Sequence, residues 1–191
     1  NELAFISQLD VFLRFSHDGS KTWSSKYLRG TSMDFFGDPK FVPSSDGYAY
    51  LVGDVFLAET SEFPHNVGGG LYKIKFADES IRTTFVKSSP RINYVQGSIF
   101  DYPKIARDPN SGTIFVVALS WNYIGLGPDY SLFISNNDGL NFTEIKLDTL
   151  FRSMSIDVDK NGNAFIVNPV SNNFADNTIP YKIRIIKFVW I

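Results

Sequence analysis

Five residues of this 191-residue chain stand at repeating places with side chains suited to bond cleavage: Asp34, Asp38, Asp101, Tyr102 and Arg152. Two carboxyl groups about 5–10 Å apart across a cleft are what hydrolysis of a glycosidic bond requires, one to give a proton and one to attack or to activate water. Asp34, Asp38 and Asp101 are the candidates for that pair, with Tyr102 and Arg152 close by. An arginine facing two aspartates forms either a polar site or an ion pair. The same aspartates also suit strand starts and turns, where they accept backbone hydrogen bonds with no substrate involved. The sequence leaves both readings open.

A second constellation is "DVDKNG", with Asp157, Asp159 and Asn161 spaced as in the opening of an oxygen-ligand loop for calcium. Asn168 stands where such a loop needs its closing glutamate, and a β-turn explains Asn161-Gly162 without metal. Calcium is therefore the one metal considered, and no other cofactor is expected. The chain has no cysteine, which removes disulfides and thiolate chemistry, and His17 and His65 lack a second histidine at zinc-ligand spacing. Gly68 to Gly70 is a bare triplet between strands without the Lys-Ser/Thr of a phosphate loop.

Aromatic side chains offer a third lead. Trp121, Tyr123 and Tyr130 lie in "SWNYIGLGPDY", and Phe63 and His65 in "ETSEFPHNVGGG", both read as loops between strands. Exposed rings beside Asn and Asp suit a sugar or a protein ligand. The alternative is that they cover the underside of their own loops. Asn141-Phe142-Thr143 matches an N-glycosylation pattern inside a turn.

The elements that must position these groups are strands. Aromatic residues are 16% of the chain, and Gly, Asn, Asp and Ser punctuate it throughout, which favours an all-β fold. Three segments repeat: Gly37 to Val52, Asp101 to Val117 and Arg152 to Val167. Each is a strand-like run, an acidic turn with a glycine (Gly47, Gly112, Gly162), and a second run rich in aromatic and β-branched residues. Further strands follow each hairpin, and after two of the outer strands come "SHDGSKTW" and "SNNDGLNF". "FADESIRTTF" holds the equivalent place in the middle repeat. The unit has four strands: an inner hairpin, a connection and an outer hairpin.

"SHDGSKTW" and "SNNDGLNF" resemble the Asp-box, Ser-x-Asp-x-Gly-x-Thr-Trp, of sialidases and related bacterial-neuraminidase-repeat propellers. The matching residues are Ser16, Asp18 and Trp23 in one copy and Ser135, Asn137, Gly139 and Phe142 in the other. Ser20 stands where the motif has glycine, and Asn137 and Asn141 replace Asp and Thr. In the physical reading the Asp or Asn accepts turn amides, Gly139 takes positive φ, and Trp23 or Phe142 seals the gap between adjacent sheets. The "DP" and "DYP" segments at Asp38 and Asp101 also resemble this superfamily. The resemblance implies a β-propeller of four-stranded antiparallel blades, approximately 1–30, 34–89, 99–148 and 151–191, forming one domain or part of a larger ring.

The ends are ragged: about three strands precede the first full blade and three close the chain. A closed four-bladed ring, a piece of a larger one, or addition of "YKIRIIKFVWI" to a neighbouring subunit each accounts for this. Sialidase chemistry needs an arginine triad around a carboxylate; the chain lacks the Arg-Ile-Pro signature of its first member, and "PRIN" is a superficial echo. Two functions follow: a non-catalytic module binding glycan or protein, or assembling with its own copies, and a glycoside hydrolase using carboxylates at the channel mouth. The resemblance places either outside the cell or at its surface. A net charge of −2 without charged runs gives no footprint for nucleic acid, no apolar stretch approaches the ~20 residues of a membrane-spanning helix, and the first residues lack a signal-peptide pattern.

Overall fold

The computed structural model describes residues 12–27, 35–57, 65–88, 98–122, 126–147, 154–170 and 182–189. Among them are thirteen strands and no helix. A hairpin of β1 (Phe12–Phe15) and β2 (Ser24–Tyr27) comes first. A four-stranded meander follows, β3 (Phe35–Pro43), β4 (Tyr48–Leu57), β5 (His65–Lys75) and β6 (Ile81–Ser88). The next is β7 (Ser98–Arg107), β8 (Ile114–Asn122), β9 (Leu126–Ser135) and β10 (Thr143–Leu147). Three strands close the series: β11 (Ser155–Val158), β12 (Ala164–Val170) and β13 (Lys182–Phe188). Every pairing is antiparallel between chain neighbours.

Alternation along the central strands stacks these sheets face to face in chain order. From β4, Ala49, Leu51 and Val55 pack with Phe15 of the first hairpin. Tyr50 and Val52, on the opposite face, pack with Phe100, Ile114, Val116 and Ala118 of the third sheet. From β8, Phe115, Val117 and Leu119 pack with Met154, Ile156, Ala164 and Ile166. A strand buried on both faces reads as a continuous apolar run, which is why "GTIFVVAL" looks as it does. This stack of meandering sheets is a β-propeller arrangement. No helix among the described residues is long and apolar enough to cross a membrane.

The inner turns are closed by equivalent backbone hydrogen bonds, the second over one residue more than the other two. Ser44 N donates to Tyr48 O, Asp108 N to Thr113 O and Asp159 N to Asn163 O, at 2.9, 2.9 and 3.0 Å. Gly47, Gly112 and Gly162 each hold positive φ.

The outer turns are likewise built alike. Ser16 Oγ accepts from Ser20 N at 2.8 Å, and Ser135 Oγ accepts from Gly139 N at 2.9 Å. Asp18 Oδ1 takes Lys21 N and Thr22 N, and Asn137 Oδ1 takes Asn141 N. Ser20 and Gly139 both lie at positive φ. Only Gly139 is sterically forced, since a Cβ there would sit 2.3 Å from Leu71 Cδ2.

Each outer turn also grips a neighbouring sheet. Glu79 accepts from Ser24 Oγ, contacts His17 Nε2 and receives Lys26 Nζ on its backbone oxygen. Asp138 binds the Tyr50 hydroxyl and Lys73 Nζ, while its carbonyl accepts from Arg82. These contacts join consecutive sheets in the way the apolar layers do.

Three expectations are corrected. Phe142 packs against the core between the second and third sheets, but Trp23 is 55% exposed, with Nε1 bonded to Ser20 O. No described sheet lies on the outer side of the first hairpin for Trp23 to seal. The "SWNYIGLGPDY" segment is chiefly strand: β8 runs to Asn122, which pairs with Leu126 of β9. Gly68 to Gly70 lies within β5 and not between strands, and Gly69 there leaves room for the Phe100 ring.

Candidate functional site

The inner strands of the second and third sheets are interrupted at matching places. Register shifts between Gly37 and Lys40 on β3 and between Asp101 and Lys104 on β7. Each bulge holds a residue before proline at positive φ, Asp38 at 43° and Tyr102 at 49°. Left-handed backbone is costly for such residues and collects at functional positions. The bulges thus equate Asp38 with Tyr102, and Gly37 with Asp101, one place out from an alignment of the two aspartates.

A third aspartate completes the group. Asp54 of β4 pairs with Gly37 on one side and Gly69 on the other, so no cross-strand side chain flanks it. It is 4% exposed, and its Oδ1 has no hydrogen-bond partner. Asp38 is exposed and Asp101 half-buried, and one carboxylate oxygen from each of the three lies within 4.8 Å of the others. Two adjacent sheets therefore converge on one carboxyl cluster.

Burial, then the charges of Asp101 and Asp38, push the Asp54 carboxyl up to about 9. It is neutral near pH 7 and hydrogen-bonds Asp101. Burial also raises Asp101, against the Tyr102 N–H that its Oδ1 accepts at 2.8 Å. Lys104 is lowered by burial and by Lys40, and its Nζ lies 3.3 Å from both Tyr102 O and Pro103 O. The buried Tyr130 hydroxyl has no partner and is pushed up to about 12 by burial, Asp101 and Tyr102. A neutral carboxyl beside two others can hold a proton, accept sugar hydroxyls or take up a cation.

Asp38 and Asp101 thus come together, with Tyr102 beside them, 55% exposed. Asp34, Arg152, Phe63 and Tyr123 lie outside the described residues, as do the side chains of His65 and Trp121. Tyr130 is corrected: it is 2% exposed in the core between the third and fourth sheets, because its strand is central and packed over. Asp159 directs its carboxylate into its own turn, accepting from Asn161 N, Asn163 N and Asn163 Nδ2. Asp157 Oδ1 accepts from Val158 N.

Asp54 escaped the sequence reading although a signal was present. An aspartate inside "YLVGDVFL", an otherwise apolar strand, is a buried charge in need of a reason.

No family model and no curated protein matches the chain. Among solved structures, a Hadza microbial sialidase, Hz136, is similar at 16% identity and a TM-score of 0.52, over 69% of this chain and 31% of its own. A GH43_1 enzyme from Xanthomonas citri is similar at 11% identity and a TM-score of 0.53, over 87% of this chain and 45% of its own. The chain spans less than half the length of either. At such identities the likeness is one of fold alone, an all-β propeller.

Proposed function

We propose that this chain is a sugar-binding propeller module of the Asp-box kind, with its contact surface at the mouth formed by Tyr102, Asp38 and Asp101. The observation that carries this reading is the exposed Tyr102 ring beside the carboxylate cluster. An aromatic face stacks on the apolar face of a pyranose, and neighbouring carboxylates accept its hydroxyls. The bulge holds that ring outward at positive φ, a conformation the surrounding strands must impose. An extracellular or cell-surface setting belongs to this reading.

The test is calorimetric titration with a panel of neutral and acidic oligosaccharides. Tyr102→Ala should weaken binding at least tenfold with an unchanged near-UV circular dichroism spectrum. Binding that survives both Tyr102→Ala and Asp38→Asn, or no binding to any member of the panel, would sink it.

A second reading, glycoside hydrolysis, is favoured by the raised Asp54 and Asp101 carboxyls. Asp101 would carry the proton and Asp38 would be the second carboxylate, with Asp54 acting through Asp101. Cleavage of aryl glycosides that is lost in Asp101→Asn would establish it; no release from any of them would leave the module a binder.

A further inference from the structure

We propose that Asp38, Asp54 and Asp101 form a calcium site joining the second and third sheets. Two observations carry this together. Three carboxylates from two sheets converge, with an oxygen of each within 4.8 Å of the others. At the buried end, Asp54 is 4% exposed, with an Oδ1 that nothing in the protein satisfies. A buried oxygen of that kind needs a partner, and a cation supplies one by displacing the proton that Asp54 shares with Asp101.

Coordination flexibility selects the ion. Calcium accepts about six to eight oxygens at about 2.3–2.6 Å in loose geometry, which three carboxylate oxygens all within 4.8 Å of one another can begin to supply. Magnesium, at about 2.0–2.1 Å, needs opposite ligands at about 4 Å in a near-ideal octahedron and keeps several waters. Soft metals are disfavoured by an all-carboxylate donor set. The exposed Asp38 leaves an approach from solvent, and water completes the sphere on that side.

The flanking glycines fit this role. Gly37 and Gly69 stand on either side of Asp54, so no side chain from β3 or β5 crowds the ion at that level. Lys104 is the opposing charge. Its contacts with the carbonyls of its own bulge keep it close, so affinity belongs with weaker calcium sites.

The site shares Asp38 and Asp101 with the proposed mouth, but its test uses no sugar, so its failure and the failure of that reading are read separately. The chelator-treated chain is titrated with calcium chloride and, separately, magnesium chloride by calorimetry. One calcium per chain is expected, with a dissociation constant on the order of 10⁻⁴–10⁻³ M and magnesium about tenfold weaker or more. Asp54→Asn, nearly isosteric, and Asp38→Asn, on the surface, should each weaken calcium about tenfold or more. Absence of binding at millimolar calcium overturns the proposal. So does affinity unchanged in both variants, or affinity lost in Asp159→Ala and kept in Asp54→Asn, which would move the ion to the inner turn of the fourth sheet.

Discussion

Asp54 of β4 and Asp101 of β7 hydrogen-bond across the gap between two sheets, the buried carboxyl neutral and the half-buried one its acceptor. The pairing has a pH signature. Asp54 is raised from the ordinary 3.8 of an unfolded aspartate to about 9. The folded chain therefore holds a proton that the unfolded chain has lost between those values, and stability falls as pH rises through that window. Asp101, also raised, acts in the same direction. Urea unfolding in chelator at pH 5, 7 and 9 should show this decline. Asp54→Asn should flatten it and be more stable at pH 8 by about 2–4 kcal/mol. Parallel profiles for the two proteins would mean that Asp54 is not held neutral.

Gly69 is expected to be intolerant of even one methyl group. A Cβ there would lie 2.4 Å from the Phe100 ring, at the layer between the second and third sheets. Gly69→Ala should cost about 1–3 kcal/mol through overpacking. In a Phe100→Leu background the same change should cost much less, since the smaller side chain vacates the contact. Equal costs in both backgrounds would place the strain elsewhere.

The parts of this fold legible in the sequence are those made by residues close in the chain. Ser16 and Asp18 close their turn within a few residues, as Ser135 and Asn137 close theirs, so the motif carries its own geometry. Gly47, Gly112 and Gly162 mark the inner turns for the same reason. Trp23 was misread because burial depends on a second sheet, and motif identity says nothing of whether one is there. Tyr130 was misread in reverse: a residue near a glycine-rich bend is covered once β9 becomes a central strand. The candidate site was half legible. Asp38 and Asp101 announced themselves one and two residues before a proline, but their convergence on Asp54 depends on a cross-sheet approach that no local pattern encodes.

The grip of Asp138 on the second sheet makes a distinct expectation. Its carboxylate receives both the Tyr50 hydroxyl and Lys73 Nζ, and those bonds hold it below the ordinary aspartate range against partial burial. The contribution is present above the unfolded pKa and is lost as pH falls through the folded one. Asp138→Asn, which removes the charge and keeps the shape, should therefore destabilise at pH 7, and the loss should shrink as pH falls below the ordinary aspartate range. A double-mutant cycle with Lys73→Met should show coupling of about 0.5–3 kcal/mol at pH 7. Additive effects would show that Lys73 contributes nothing and that the turn is held by Tyr50 and Arg82.

Ser16 and Ser135 make the same hydrogen bonds in different surroundings, which separates the strength of a bond from the cost of losing it. Each hydroxyl accepts a backbone N–H four residues on, from Ser20 and from Gly139, and donates to Asp18 or Asn137. The Ser20 N–H is at an exposed turn, where water replaces the lost acceptor in Ser16→Ala. Gly139 is buried, so Ser135→Ala strands an amide that water does not reach. An unsatisfied buried donor costs about 1–3 kcal/mol, whereas an exposed substitution of this kind stays within about 0.5. For a chain of this length each kcal/mol moves the melting temperature by about 2–4 °C. Ser135→Ala should thus lower Tm by roughly 2–12 °C and Ser16→Ala by less than about 2 °C in differential scanning calorimetry. Comparable losses in the two variants would show that the turns contribute through local geometry alone, and that burial of the second against Leu71 adds nothing.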